Sequence, residues 1–281
     1  MIKPLVVTSA CLALMLTACT KEQNTNAALS DTNNATEQSD TIRIAAAANL
    51  SDVLPKIIAG YKADNNLPAQ EIEVTYASSG KLYAQITSGA PYDIFLAANQ
   101  AFPAKLIKEK SNSALSSDKA MSQPFTYTQG QLALYSVNKS LDGFDPATLN
   151  DILTTQSTKK VAIANPALAP YGESAASYLQ TQNLYDTLTA QKRLIQAENI
   201  GQVFQYAHTG SVDYGFVAQS QLTAIKATPD QFYTLAADSY PPILQDGVII
   251  SDASVATDFV SYLRASAGQQ YFSDAGYLAV D

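Results

Sequence analysis

The feature that most limits what this chain can fold into is a rhythm of short apolar runs, each followed by a helical stretch, from Thr41 onward. Residues 42–46, 71–76 and 92–97 read as strands, and residues 50–61, 81–87 and 103–109 as the helices between and after them. Repeated strand–helix units predict mostly parallel sheets with helices on both faces. The rhythm changes near 121–128, and a second block then begins. Its expected strands are 131–137, 161–164, 193–196 and 214–217, with helices at 149–153, 172–181 and 201–208. A second block of this kind predicts a second lobe. A strand at 242–250 and helices at 256–265 and 269–272 complete the chain and are expected to pack back on the first lobe. No internal sequence repeat stands out.

The N-terminus has a different character. Met1-Ile2-Lys3 is followed by an apolar run from Leu5 to Leu16, the pattern of a secretory leader, and the run is too short for a committed membrane span. Leu16-Thr17-Ala18-Cys19 then looks like a bacterial lipobox, with cleavage before Cys19 and acylation of its thiol; an ordinary leader site with Cys19 incidental is the other reading. Residues 20–40 are rich in Asn, Thr and Ser and nearly free of large apolar groups, so they read as a flexible tether. The expected organisation is therefore a leader at 1–18, a tether at 19–40, one lobe from 41–125 with 238–281, and another from 126–237.

Composition excludes several functions. The formal net charge is −8, from 17 basic and 25 acidic residues, and no basic cluster stands out, so a nucleic-acid partner is disfavoured. Cys11 and Cys19 are the two cysteines, so the chain beyond Cys19 has neither disulfides nor thiol catalysis. His208 is the sole histidine and is expected at a helix end. No Gly-x-Ser-x-Gly elbow is present, because Gly172-Glu173-Ser174-Ala175-Ala176 fails at its last position. Gly80-Lys81 lacks the upstream glycine of a phosphate loop, and Leu82 follows the lysine. No catalytic site is expected.

Four strand-to-helix turns carry polar donors instead. They are Ala48-Asn49, the run Tyr76-Ala77-Ser78-Ser79-Gly80, the run from Asn165 to Gly172 containing Tyr171, and Ala197-Glu198-Asn199-Ile200-Gly201. Ligands of open α/β sheets sit beyond the carboxyl ends of the strands, where such turns converge, and helix N-termini there present unpaired N–H groups to anions. Each turn has a plainer reading. Asn49 and Ser79 can serve as helix caps, Tyr171 as a turn residue, and Asn199-Ile200 as a helix start.

Taken together, AAAANL, YASSGKLYAQI, SGAPYDIFLAANQ, ANPALAPYG and TGSVDYGFV resemble the periplasmic molybdate-binding proteins of ABC transporters over 41–281. An aspartate within GAPxDxFxxA, here Asp93, is a hallmark of that family. The resemblance implies a two-lobed, type II periplasmic-binding-protein fold of class α/β, with an anion cleft between lobes. It implies that molybdate or tungstate is held through its oxygens by Ala48 and Asn49, Ser79, Tyr171 and Ile200, without a counter-ion or cofactor. Some members use a tyrosine just after the Gly-Ile-Val strand; Ala218 stands there, so the tyrosine role is assigned to Tyr171. The implied partners are a membrane permease and, through Cys19, a lipid anchor, for a monomeric protein in the periplasm or at the cell surface. The same fold tuned to sulfate or thiosulfate, or used as a sensor or adhesin, is the alternative.

Overall fold

The computed structural model describes residues 41–112, 121–155 and 158–280; the expected leader, Cys19 and the tether lie outside them. Among the described residues there are two five-stranded sheets. The first contains β1 (Ile42–Ala47), β2 (Ile72–Ala77), β3 (Ile94–Leu96), β4 (Phe125–Gly130) and β10 (Ile243–Ile249), in the order β2-β1-β3-β10-β4. The second contains β5 (Leu132–Tyr135), β6 (Val161–Ala164), β7 (Leu194–Ala197), β8 (Tyr214–Ala218) and β9 (Phe232–Thr234), in the order β7-β6-β8-β5-β9. The two are built alike. Three strands run parallel, β2-β1-β3 and β7-β6-β8, and two more join antiparallel, so both sheets are mixed. This is the two-lobed α/β architecture that the alternation predicts.

The first sheet is buried on both faces, and its strands show why. Ile42, Ile44 and Ala46 of β1 point to a core shared with α1 (Leu54–Asp64), α9 (Ser254–Arg264) and α10 (Ser266–Asp274). The intervening Ala45 points to the opposite core, beneath α2 (Ser79–Thr87) and α3 (Ala101–Asn112). A strand with both faces covered by helices must be apolar at nearly every position, and β1 is. A continuous core fills the second lobe, under α4 (Pro146–Thr155), α5 (Pro170–Thr181), α6 (Tyr185–Ala190), α7 (Ile200–His208) and α8 (Gln219–Ala224). No helix among the described residues is long and apolar enough to cross a membrane.

Some boundaries differ from the sequence pattern. The helix expected over 50–61 is split. A single 3-10 turn, Ala48–Leu50, follows β1, and α1 begins at Leu54 with Pro55 in its first turn. Proline at that position fixes φ and removes an N–H that would be unpaired there anyway. Strand β4 arises where only a change of rhythm was legible, and it pairs with β10 in the first sheet. The chain therefore passes between the lobes at Gln131, between β4 and β5, and returns between β9 and β10.

Close approach of backbone fixes the third turn. A Cβ on Gly172 would lie 2.1 Å from the Ala164 carbonyl oxygen and 2.6 Å from its carbon, at the carboxyl end of β6. Backbone cannot rotate away as a side chain can. Gly172→Ala is therefore expected to cost about 1–3 kcal/mol, lowering the thermal midpoint by roughly 2–4 °C per kcal/mol. A melt indistinguishable from that of the unaltered protein would show that α5 is free to shift.

Candidate anion-binding site

The four turns meet at one place. A cavity enclosing about 200 Å³ of empty space, counted out to its mouth, is lined by Ala48, Asn49, Ser79, Tyr171 and Ile200, the five residues singled out from the sequence. Ser78, Ala98 and Asn199 share the lining. A chamber of this size takes a small ion and excludes an extended organic ligand. No lysine, arginine or carboxylate lines it, so any charge placed there meets dipoles alone.

Ser79 is the first residue of α2, and its side chain does not cap that helix. Its hydroxyl oxygen instead accepts the N–H of Ala98, just beyond β3, at 2.9 Å. With that lone pair engaged and the group fully buried, the hydroxyl proton is left to be donated. Ser78 Oγ, buried beside it, has no partner within the protein. Asn49 is no cap either; it lies inside the short 3-10 turn. Its amide nitrogen donates to Gln245 Oε1 and to the Tyr277 hydroxyl, both at 3.0 Å, and its Oδ1 is left without a partner. The donors this turn offers an anion are thus backbone N–H groups.

The fourth turn divides the work between neighbours. Asn199 caps α7, its Oδ1 accepting the Gln202 N–H at 3.1 Å, while the Gln202 side chain accepts the Glu198 N–H at 2.9 Å. Ile200 is the first residue of α7, where a backbone N–H has no intrahelical partner. In the third turn Pro170 opens α5 and Tyr171 follows, its ring 2 % exposed and its hydroxyl accepting from Gln245 Nε2 at 3.2 Å. The turns are also tied to one another across the lobes. The Gly80 N–H donates to the Leu168 carbonyl at 2.9 Å, and Lys81 pairs with Glu198 at 3.0 Å.

Sequence reasoning missed the residues behind this lining. Gln245 on β10 is fully buried and joins Asn49, Tyr171 and Tyr127, the last also donating to the Ala97 carbonyl at 2.8 Å. Tyr277 donates to the Asn49 carbonyl at 2.8 Å. Gly130, at the end of β4, leaves room for the meeting of Tyr171 and Gln245; a Cβ there would stand 2.1 Å from the tyrosine oxygen. Asp93 of the GAPxDxFxxA motif is not in the cavity. It accepts the Arg43 N–H at 2.8 Å, and its backbone bonds to the Arg43 carbonyl and the Ile250 N–H, which locks β3 between β1 and β10. His208 ends α7, bonded to the Tyr135 hydroxyl at 2.8 Å and stacked on Phe204, and no cluster that could hold a metal occurs among the described residues.

Burial, the largest cause in each case, pushes the Tyr127, Tyr171 and Tyr277 hydroxyls well above their ordinary range. They are neutral donors at any physiological pH. Because the folded state holds these protons more tightly than the unfolded chain, the stability they contribute is complete below pH ~10 and is lost as pH rises further, by about 1.4 kcal/mol per unit for each. The thermal midpoint is expected to be flat with respect to these groups between about pH 7 and 9 and to fall steeply above about pH 10. Following tyrosinate absorbance through the melt checks this; phenolate formation before unfolding would contradict it.

The sequence profile of the bacterial extracellular solute-binding proteins matches residues 42–278. The chain is 31% identical over 247 residues to the molybdate-binding protein ModA of Azotobacter vinelandii, covering 85% of this chain and 90% of that one. It is 33% identical over 241 residues to ModA of Rhodobacter capsulatus, covering 79% and 88%. The solved structure of the Azotobacter vinelandii periplasmic molybdate-binding protein superposes with a TM-score of 0.74 at 29% identity, covering 85% of this chain and all of that one. These relatives are molybdate-binding proteins. The chain belongs to the bacterial extracellular solute-binding protein family, and within it to the periplasmic molybdate-binding proteins.

Proposed function

We propose that this protein binds molybdate, and tungstate with it, in the cavity between its lobes and delivers the anion to the membrane permease of an ABC transporter. The observation that carries the reading is the donor set. Ser79 has its oxygen occupied and its proton to give, the Ile200 and Ala48 turns offer backbone N–H groups, and no charged side chain lines the chamber. Molybdate is fully deprotonated at neutral pH and only accepts hydrogen bonds. Charge-assisted bonds contribute roughly 1.5–3 kcal/mol each, so a handful offsets dehydration and association costs. Size then separates molybdate from sulfate or thiosulfate, since the donors suit all of them.

One observation favours a second reading. Asn49 Oδ1 is a buried acceptor without a partner, which a protonated oxyanion such as hydrogen phosphate would reward. Calorimetry with molybdate, tungstate, sulfate and phosphate in parallel separates the two. Ser79→Ala is expected to leave the melt intact and weaken molybdate binding by about tenfold or more. Unchanged affinity would reduce Ser79 to a bracket for Ala98, and silence towards molybdate with binding of phosphate would replace the substrate.

The lobes that close on the anion are taken as residues 41–130 with 238–281, and 131–237. The first boundary moves from the expected 125 because β4 pairs with β10. The protein acts as a monomer on the periplasmic side of the membrane. Cleavage before Cys19 and its acylation would hold it at the surface, since a lipoprotein's several chains anchor firmly where one is marginal. Cys19→Ser is then expected to release the protein from the membrane fraction and abolish labelling by a fatty-acid probe. A variant that still sediments with membranes would refute the anchor.

A further inference from the structure

We propose that Gln245 is a positioning residue that sets the direction of the hydrogen bonds around the anion, holding the Tyr171 hydroxyl so that its proton faces the ligand. This rests on the anion reading above. Gln245 does not itself line the cavity, yet it is bonded from behind to two residues that do. It sits where β10 shifts register against β4, between Gln245 and Asp246. Such a shift lets consecutive side chains both turn inward. Asp246 is taken by Thr126 Oγ1 at 2.7 Å and Gln100 Nε2 at 3.3 Å, and Gln245 turns towards the second lobe.

The polarity follows from one end. The Tyr277 proton goes to the Asn49 carbonyl, so its oxygen must accept from Asn49, and the Asn49 amide nitrogen is thereby fixed as the donor end of that side chain. The same nitrogen donates to Gln245 Oε1 at 3.0 Å, while the Tyr127 hydroxyl, 3.1 Å from that oxygen, gives its one proton to the nearer Ala97 carbonyl at 2.8 Å. An amide oxygen that receives the Asn49 donor leaves the amide nitrogen on the far side, and that nitrogen donates to Tyr171. The tyrosine oxygen is then an acceptor, and its proton is free to be given to an anion. Without Gln245 the hydroxyl could turn its lone pairs to the ligand equally well. The bond also joins β10 of one lobe to α5 of the other, so the direction is set only when the lobes are together.

The test is a double-mutant cycle on the purified protein, titrated calorimetrically with molybdate and with phosphate. Gln245→Leu is expected to weaken molybdate binding by about tenfold in the unaltered background and by less than about twofold in a Tyr171→Phe background. The same loss in both backgrounds would overturn the proposal, because Gln245 would then act by a route that does not pass through the tyrosine. Gln245→Glu keeps the acceptor for Asn49 but takes the Tyr171 proton for itself. Its added charge weakens every anion, so the informative quantity is the ratio. Molybdate is expected to lose more than phosphate by about tenfold or more, and an unchanged ratio would overturn the proposal. A failure of the anion reading is distinct from either result, because the unaltered protein would not bind molybdate at all.

Discussion

A dehydrated oxyanion that meets no positive side chain is held only by donors whose protons face it. Backbone N–H groups satisfy that condition by construction, but a hydroxyl gives and accepts with equal ease. A hydroxyl becomes a dependable donor when something else has already claimed its oxygen. Ser79 and Tyr171 meet the requirement in the same way, the first through the Ala98 N–H and the second through the Gln245 amide. Both claims come from strands of the first sheet, from the end of β3 and the register shift in β10. The architecture of that sheet and the chemistry of the cavity are therefore a single problem. The strand that carries Asp93 is held in place by it, and the amide that meets Ser79 lies five residues further along the same segment.

Much of this was legible in the sequence because it is local. The strand–helix alternation, the order of the two blocks and the four polar turns follow from short windows of residues, and five lining residues fall in those turns. What escaped was non-local. Asn49 and Gln245 are separated by 196 residues and Asn49 and Tyr277 by 228, so nothing near either partner announces the bond. Strand β4 escaped for a related reason. Its sequence, Phe125–Gly130, alternates aromatic and glycine positions with Thr126, Thr128 and Gln129, and reads as a polar connection. Thr126 donates to Asp246, Thr128 to the Leu278 carbonyl, and the Gln129 backbone pairs with that of Leu278, all from late in the chain. Helices α6 and α8, six residues each, are too short for periodicity to mark.

Capping chemistry was the subtler case. Asn49, Ser79 and Asn199 all occupy turns where an N-cap is expected, and residue type cannot separate them. The structure does, by asking where each side-chain oxygen goes. Asn199 Oδ1 meets its own helix, Ser79 Oγ meets another strand, and Asn49 Oδ1 meets nothing. A cap that is diverted from its helix costs that helix some stability. The diversion recurs at the turns that line the cavity, which is where local rules are expected to yield to a ligand.

The lobes are held together by bonds that are individually slight. Lys81 and Glu198 are partly exposed, and such a pair contributes ~0–1 kcal/mol. The Gly80–Leu168 and Gln245–Tyr171 bonds are neutral, and net contributions of that kind run to about 0.5–1.5 kcal/mol. Bonds of this size do not by themselves commit the lobes to one another, and the packing of Ala47, Ala48 and Ala98 against the second lobe's core adds to them. The same weakness makes closure responsive to what lies inside. An anion bridging Ser79 from one lobe and Ile200 from the other, as proposed, would add charge-assisted bonds that neither lobe makes alone, and a ligand shifts an equilibrium only by such differential contacts. An uncharged lining serves this end as well. A lysine in the wall would hold the anion to one lobe whether or not the other had arrived, whereas dipoles shared between lobes bind strongly only when both are present.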